Sequence, residues 1–431
     1  MANRKSSSTL IIGAGIVGLC TAYYLAKRGH KVTLLERDRL DEQSSDPMHA
    51  SKGNAGLIAL GHPPLPRPGL VWKTIKWMLD GGSPLYVPPR IDFGLMAWMW
   101  QFRKACTSDH FQRCMKILAD LGWATGRCWD AIIDSEKFDC EYRRTGWMDV
   151  FRTKEGMEHG MVEANMLREY DFDVQIMSGD ELRRRDPAFR KQVVGAAHYT
   201  DSRAISPTKF IALLTNRVCE MGVAIHTQCE AIDLQSWKNS RTVRTRCAGN
   251  GAIATSPTEF SADTLVLAAG VWTSELARQL GEKIPMQAGK GYHVMLTQPV
   301  VCPSTACVLN ETYVAVTPMN DGLRLAGTVE LSGINHRMMQ KRVDMLSAGA
   351  RNYLEGIENT QIVSKWCGLR PCTADGLPVI DWARRCENVF IATGHAKYGL
   401  AYGPITGRLA SECILDGKPS MDVSALRVDR F

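Results

Sequence analysis

Gly13, Gly15 and Gly18 stand in Gly-x-Gly-x-x-Gly spacing near the start of the chain, and an acid, Glu36, follows them. The chemistry this spacing serves is the holding of a pyrophosphate by main chain. The first glycine permits a tight turn, the second lets backbone approach the phosphates, and the third lets a helix pack on a strand. Ile16 and Val17 open that helix, whose N-terminus faces the phosphates. Glu36, followed by Arg37, is placed to accept hydrogen bonds from an adenosine ribose and disfavours a 2′-phosphate there. The fourteen cysteines carry a different message, because none stands in Cys-x-x-Cys spacing. The pairs Cys302/Cys307 and Cys367/Cys372 lack the ligand spacing of a structural zinc site. No metal site is expected, the thiols are expected to be free, and a reducing, cytoplasmic compartment follows.

The elements that must position the glycines are readable around them. Thr9–Ile12 is an apolar run suited to a strand, a helical pattern continues through Tyr24, Leu25 and Ala26, and Lys31–Leu35 is a second strand ending at Glu36. The uncharged stretch from Thr9 to Ala26 is therefore a strand, a turn and a helix rather than a signal peptide or membrane span. Farther on, a helix from about Pro207 to Met221 precedes the short strand Ala224–His226, and a buried strand, Thr264–Leu267, runs into Ala268, Ala269 and Gly270. A last strand, Val389–Thr393, enters a turn at Gly394 and His395, with Gly399 and Leu400 beyond it and a helix from about Pro404 to Leu415. Its position near the end of the chain requires the C-terminus to fold back onto the N-terminal sheet.

The fingerprint alone does not distinguish a flavin from a nicotinamide dinucleotide. The small polar turn Ser51, Asn54, Ala55, Gly56 and Leu57, suited to lie along a pyrophosphate and flavin edge, and the two later strand-to-glycine segments favour the flavin. At this level the sequence resembles the superfamily of D-amino-acid oxidase and glycine oxidase, and within it the bacterial D-amino-acid dehydrogenase small-subunit group. The resemblance is carried by KTIKWM at 73–78, WMW at 98–100, KGY at 290–292, ETY at 311–313, GLRP at 368–371, DGLP at 375–378 and TGH at 393–395.

The resemblance implies a fold of class α/β and α+β. A discontinuous Rossmann-like FAD-binding domain (1–60, 205–280 and 355–431) accompanies a substrate domain (61–204 and 281–354) with a mixed or antiparallel sheet. Strands at Tyr292–Thr297, Thr312–Thr317 and Leu323–Val329, the last two joined by a turn at Asn320-Asp321-Gly322, suit such a sheet. By the same resemblance Arg370 pairs with a substrate carboxylate, a task for which a guanidinium fork is suited. Tyr313 and Tyr292 are candidate contacts to the same substrate, His395 is expected near the flavin or substrate, and Lys397 near the reduced ring. The implied reaction is oxidative deamination of a D-amino acid to a 2-oxo acid, with the α-hydrogen passing as hydride to FAD. The FAD is expected to be bound without a covalent link, although Cys367 and, more weakly, His49 are the positions where a link would be sought. A cyclic secondary amine such as D-hydroxyproline, or oxygen as acceptor, gives the alternative activities.

Composition narrows the partners. The chain has 431 residues, 45% of them hydrophobic and 23% charged, with a net charge of +7, values of a globular protein of more than one domain. Such modest basicity does not call for nucleic acid, and Arg183-Arg184-Arg185, set among Asp180, Glu181 and Asp186, reads as a solvated helix end. An RNA-modifying flavin enzyme is therefore the remote alternative. Trp72, Trp77, Trp98 and Trp100, beside Lys73, Lys76, Arg103 and Lys104, suit a membrane interface as well as an internal packing surface. The acceptor implied by the resemblance is a quinone, with peripheral contact to the cytoplasmic face of the membrane. A homo-oligomer or a heteromeric complex is equally open to the chain.

Overall fold

A computed structural model of the chain describes residues 7–40, 50–70, 83–249, 252–253 and 257–431. His49, Trp72, Trp77 and the motif at 73–78 lie outside the described residues. Two large sheets, of six and nine strands, organise the rest. The six-stranded sheet places Val379–Trp382, Val389–Thr393, Thr264–Leu267, Ser8–Ile12, Lys31–Leu35 and Ala224–His226 side by side in that order. All neighbours run parallel except the edge strand Val379–Trp382. Its central strands are apolar and buried, as parallel strands covered by helices must be. Ile12, Leu35, Leu267 and Ile391 lie level across it, so the turns that follow these strands converge at one edge.

The C-terminus does return to the N-terminal sheet. The helix Gly399–Leu415 packs along Ile16–Ala26, and a Cβ at Gly407 would lie 2.4 Å from the carbonyl carbon of Cys20, a distance that requires glycine. This helix begins before Pro404 rather than at it. The extra turn is braced from outside, because the Ala401 carbonyl accepts from Thr125 Oγ1 (2.6 Å) and Trp129 Nε1 (3.0 Å) of the long helix Ser108–Glu136.

The nine-stranded sheet is mixed and runs Ile362–Thr373, Met286–Leu296, Gly322–Glu330, Val314–Met319, Cys307–Leu309, Trp147–Phe151, Gly195–Tyr199 and Val174–Ser178, with Leu85–Tyr86 added beside Gly322–Glu330. Met319 pairs with Gly322 across the expected Asn320-Asp321 turn. One placement differs from expectation. The strand Ile362–Thr373, assigned above to the nucleotide half, pairs along its length with Met286–Leu296 and forms the edge of the nine-stranded sheet. Its hydrogen-bond ladder, a long-range property, overrides the boundary drawn from local pattern.

The cysteines also need a correction. Cys229 and Cys247 face each other on the antiparallel strands Cys229–Asp233 and Thr242–Gly249 and are joined as a disulfide, while the other twelve are free. Cross-strand register brings them together, and linear spacing does not reveal it.

Candidate active site

The converging turns of the six-stranded sheet and one face of the nine-stranded sheet enclose a cavity of about 1340 Å³. At one end Gly13 turns with φ +105°, and a Cβ there would sit 2.6 Å from the Ala268 carbonyl oxygen. A Cβ at Gly18 would fall 1.9 Å from the Gly13 carbonyl oxygen. Both positions therefore demand glycine. Glu36 ends its strand and accepts from Ala14 N–H (2.7 Å) and Asp38 N–H (3.0 Å), tying the glycine turn to the second strand. Arg37 lies with its guanidinium 4.2 Å from the Trp272 ring centre, and Ser51 Oγ accepts from Ile16 N–H at 3.0 Å.

The turn Ser51–Gly56 is clamped to the nine-stranded sheet by residues that sequence reasoning missed. Arg324 Nη1 donates to the carbonyls of Asn54 (2.7 Å) and Lys52 (3.3 Å), and Thr317 Oγ1 donates to that of Ala55 (2.6 Å). His293 Nδ1 bonds the Gly53 carbonyl at 2.9 Å. Burial draws the Arg324 guanidinium down to about 10 and, with the Arg324 charge adding to it, His293 to about 3. An arginine, a threonine and a histidine set between apolar neighbours on their strands were the available signal.

Of the residues expected at the cofactor, Gly13, Gly15, Ile16, Val17, Glu36, Arg37, Ser51, Asn54, Ala55, Leu57, Ala268, Ala269, Gly270, Gly399 and Leu400 line the cavity. Gly18, Gly56 and Gly394 support that wall from behind and are not among the lining residues. All five expected substrate-side residues line it. Arg370 donates from Nη1 to the Thr328 carbonyl at 3.0 Å, and burial lowers its pKa. Thr328 has φ +58°, costly for a β-branched residue, where the strand pairing of Lys290 and Tyr292 with Glu330 and Gly327 slips by one residue. This bulge turns the carbonyl toward Arg370. The guanidinium also lies across Gly291, where a Cβ would be 2.2 Å from Nη1.

The two tyrosines differ from their expected settings. Tyr292 donates its hydroxyl to Glu330 Oε2 at 2.6 Å, and Glu330 Oε1 also receives Lys290 Nζ at 3.1 Å, so that hydroxyl is committed inside the sheet. Tyr313 is not in a strand. It occupies a left-handed turn at φ +54° just before Val314–Met319, and is 47% exposed. His395 bonds Thr406 through Nε2 (2.9 Å), and burial pushes it down to about 3, so it is neutral near pH 7. The Lys397 side chain is accessible within the cavity yet surrounded by protein, and this desolvation, reinforced by Arg67, lowers its ammonium to about 8. Cys367 is buried, donates to the His336 carbonyl (3.3 Å) and does not line the cavity.

The cavity wall also carries groups that sequence reasoning did not single out. Asp149, on Trp147–Phe151, accepts from Tyr199 Oη at 3.1 Å, and burial together with the nearby Glu163 pushes it up to about 7. Glu163, on the helix Lys154–Arg168, pairs with Arg67 at 3.1 Å. The signal that was present is an acid at the centre of the otherwise apolar run Trp-Met-Asp-Val-Phe.

Residues 8–413 match the family described as FAD dependent oxidoreductase. The chain belongs to that family. This FAD-dependent oxidoreductase is 30% identical to the D-amino acid dehydrogenase of Xanthobacter autotrophicus over 430 residues, covering 98% of each chain. It is 28% identical to D-amino acid dehydrogenase 1 of Mesorhizobium japonicum, covering 98% of this chain and 99% of the relative. Among solved structures it resembles glycine oxidase from Geobacillus kaustophilus (TM-score 0.76, 20% identity, 98% of both chains) and an L-proline dehydrogenase from P. horikoshii (TM-score 0.70, 17% identity, 99% of this chain and 98% of the other) in fold. The residues present fit FAD. The glycine turn leaves no side chain between the helix N-terminus and the cavity, and the acid Glu36 stands on the cavity wall beside it.

Proposed function

We propose that this FAD-dependent oxidoreductase is a D-amino-acid dehydrogenase that converts a D-amino acid to the corresponding 2-oxo acid. The observation that carries the reading is Arg370, a guanidinium fixed by the Thr328 carbonyl on the wall of the cavity, in a chain similar over nearly its whole length to D-amino acid dehydrogenases. When bound, FAD supplies the two-electron acceptor for the hydrogen leaving the α-carbon. The glycine turn, Glu36, Ser51–Leu57, Ala268–Gly270 and the turn from Gly394 to Leu400 would hold it.

Arg370 binds the carboxylate in a two-pronged contact and so orients the α-carbon. Lys397 places positive charge on the cavity, which favours the neutral form of the substrate amine, the form from which hydride leaves. Neutral His395, locked on Thr406, holds the turn between Thr393 and Gly399 in place. Orientation and electrostatics thus account for the acceleration without an assigned general base.

A quinone at a membrane surface is the acceptor this reading favours. Ile91, Phe93, Met96 and Trp100 are exposed along one side of the helix Phe93–Ala105 and the residues leading into it, and Arg103 and Lys104 lie against Trp100. Trp98, Met99 and Phe102 of the same helix line the cavity. No helix of the described residues is long and apolar enough to cross a membrane, and the contact proposed here is with the interface.

The deciding experiment is anaerobic addition of D- and L-amino acids, glycine, sarcosine and D-hydroxyproline to the flavin-loaded protein. Bleaching by D-amino acids and not their L-forms is expected. Bleaching by glycine or sarcosine alone, or by none of the panel, overturns the reading. Arg370→Met is expected to raise KM at least a hundredfold with flavin still bound.

A further inference from the structure

Asp149 is only 7% exposed, yet it lines the cavity. Of its two carboxylate oxygens, Oδ2 accepts from Tyr199, whereas no described residue donates to Oδ1. Oδ1 is not among the fully enclosed unpartnered polar atoms of the described residues, so this oxygen is open to the cavity, the side from which a donor can come. The surroundings define what kind of donor. Glu163 and Arg67 neutralise each other at 3.1 Å. Lys397, which forms no ion pair with any described residue, acts on Asp149 at longer range and also on the Arg370 side of the cavity. The cluster of Asp149, Glu163, Arg67 and Lys397 holds two acids and two bases and is thus close to electrically balanced, so it offers no net attraction to a full positive charge.

We propose that Asp149, held by Tyr199, is the specificity-determining residue for the substrate's side chain, and that its Oδ1 receives a hydroxyl group carried by that side chain. The inference rests on the amino-acid reading given above. With the carboxylate on Arg370, a substrate reaches past Lys397 toward Asp149 with its side chain. Asp149 sits near its midpoint of protonation around neutral pH, and a hydroxyl, both donor and acceptor, pairs with either form. An ammonium pairs with the ionised form alone.

The test compares isosteric pairs of substrates on the flavin-loaded enzyme: D-serine with D-2-aminobutyrate, and D-homoserine with D-norvaline. D-lysine with D-2-aminoheptanoate serves as the cationic arm. The expected result is a kcat/KM at least tenfold higher for a hydroxylated member than for its partner, with no such preference for D-lysine. In Asp149→Leu, and in the double variant Asp149→Leu/Tyr199→Phe that leaves no orphaned hydroxyl, the hydroxyl preference is expected to fall at least tenfold. A wild-type ratio at or below one in both pairs overturns the proposal even if neither variant folds. So does a loss in Asp149→Leu that is equal for both members of each pair, the signature of a role at the α-amine, or a preference for D-lysine that depends on Asp149. Failure of every compound to bleach the flavin instead refutes the amino-acid reading itself. The two failures are therefore distinguishable.

Discussion

Arg370 acts through its neighbours as much as through its own charge. The Thr328 carbonyl and the bare backbone of Gly291 fix where the guanidinium lies. In Gly291→Ala the new methyl group would occupy that place, and the flexible arginine rather than the sheet would give way. The expected outcome is a tenfold or greater rise in KM for the amino acid, with flavin content unchanged, checked by steady-state kinetics and the absorbance ratio of flavin to protein. Asp149 and Lys397 make opposite contributions to stability against pH. Asp149 has its pKa raised to about 7, so between the usual carboxylate range and pH 7 the native state holds a proton that the unfolded chain has lost, and stability falls as pH rises through that window. Lys397 is lowered to about 8, so from there up to the ordinary lysine range the unfolded chain holds the extra proton, and stability rises with pH. The flavin-free protein is expected to show a shallow minimum in Tm between these windows. Asp149→Asn is expected to flatten the acid-side branch only, measured by thermal denaturation across pH 5–10.

At the scale of elements, the helix Phe93–Ala105 divides its aromatic residues between two tasks. Trp98 is 7% exposed and donates its indole N–H to the Cys372 carbonyl at 2.9 Å, whereas Trp100 is 55% exposed. The sequence reading treated the two as one cluster, because a helical period cannot say which face has a partner. Their variants are expected to separate. Trp98→Ala should lower stability by about 3–5 kcal/mol, the usual loss for truncating a buried aromatic residue, in chemical denaturation. Trp100→Ser combined with Met96→Ser should leave stability and flavin content intact while reducing flotation with vesicles containing phosphatidylglycerol at least fivefold. Equal flotation of the double variant and the parent would remove the membrane contact. The nucleotide-binding turn was the most legible element, since Gly13, Gly18 and Glu36 are required by local geometry that follows directly from their spacing. The wall carrying Asp149, Glu163 and Arg67 was not legible, because the consecutive strand and helix that carry the two acids meet Arg67, far earlier in the chain, only in the fold. The Cys229–Cys247 link was hidden because it depends on the register of two neighbouring strands.

For the molecule as a whole, the fold-back of the C-terminus was foreseen from the strand Val389–Thr393 and its glycine-rich exit, and the parallel register beside Thr264–Leu267 accounts for it. What could not be read was the tightness of the closure. Gly407 admits the helix Gly399–Leu415 against the main chain of Ile16–Ala26, so Gly407→Val is expected to force those two helices apart and tilt the glycine turn. The measurable result is loss of retained flavin after gel filtration, at least tenfold, before any loss of secondary structure by circular dichroism. The strand Ile362–Thr373 extends the same dependence to the substrate side. It carries Arg370, and near its end Cys372 bridges to His395 in the turn that leads into the C-terminal helix. Arg370 and Cys372 stand two residues apart on this strand, so the cavity wall at Arg370 and the turn at His395 are mechanically joined. If Arg370 anchors the substrate as proposed, altered side-chain preference is expected from substitutions on the wall that carries Asp149 rather than on this strand.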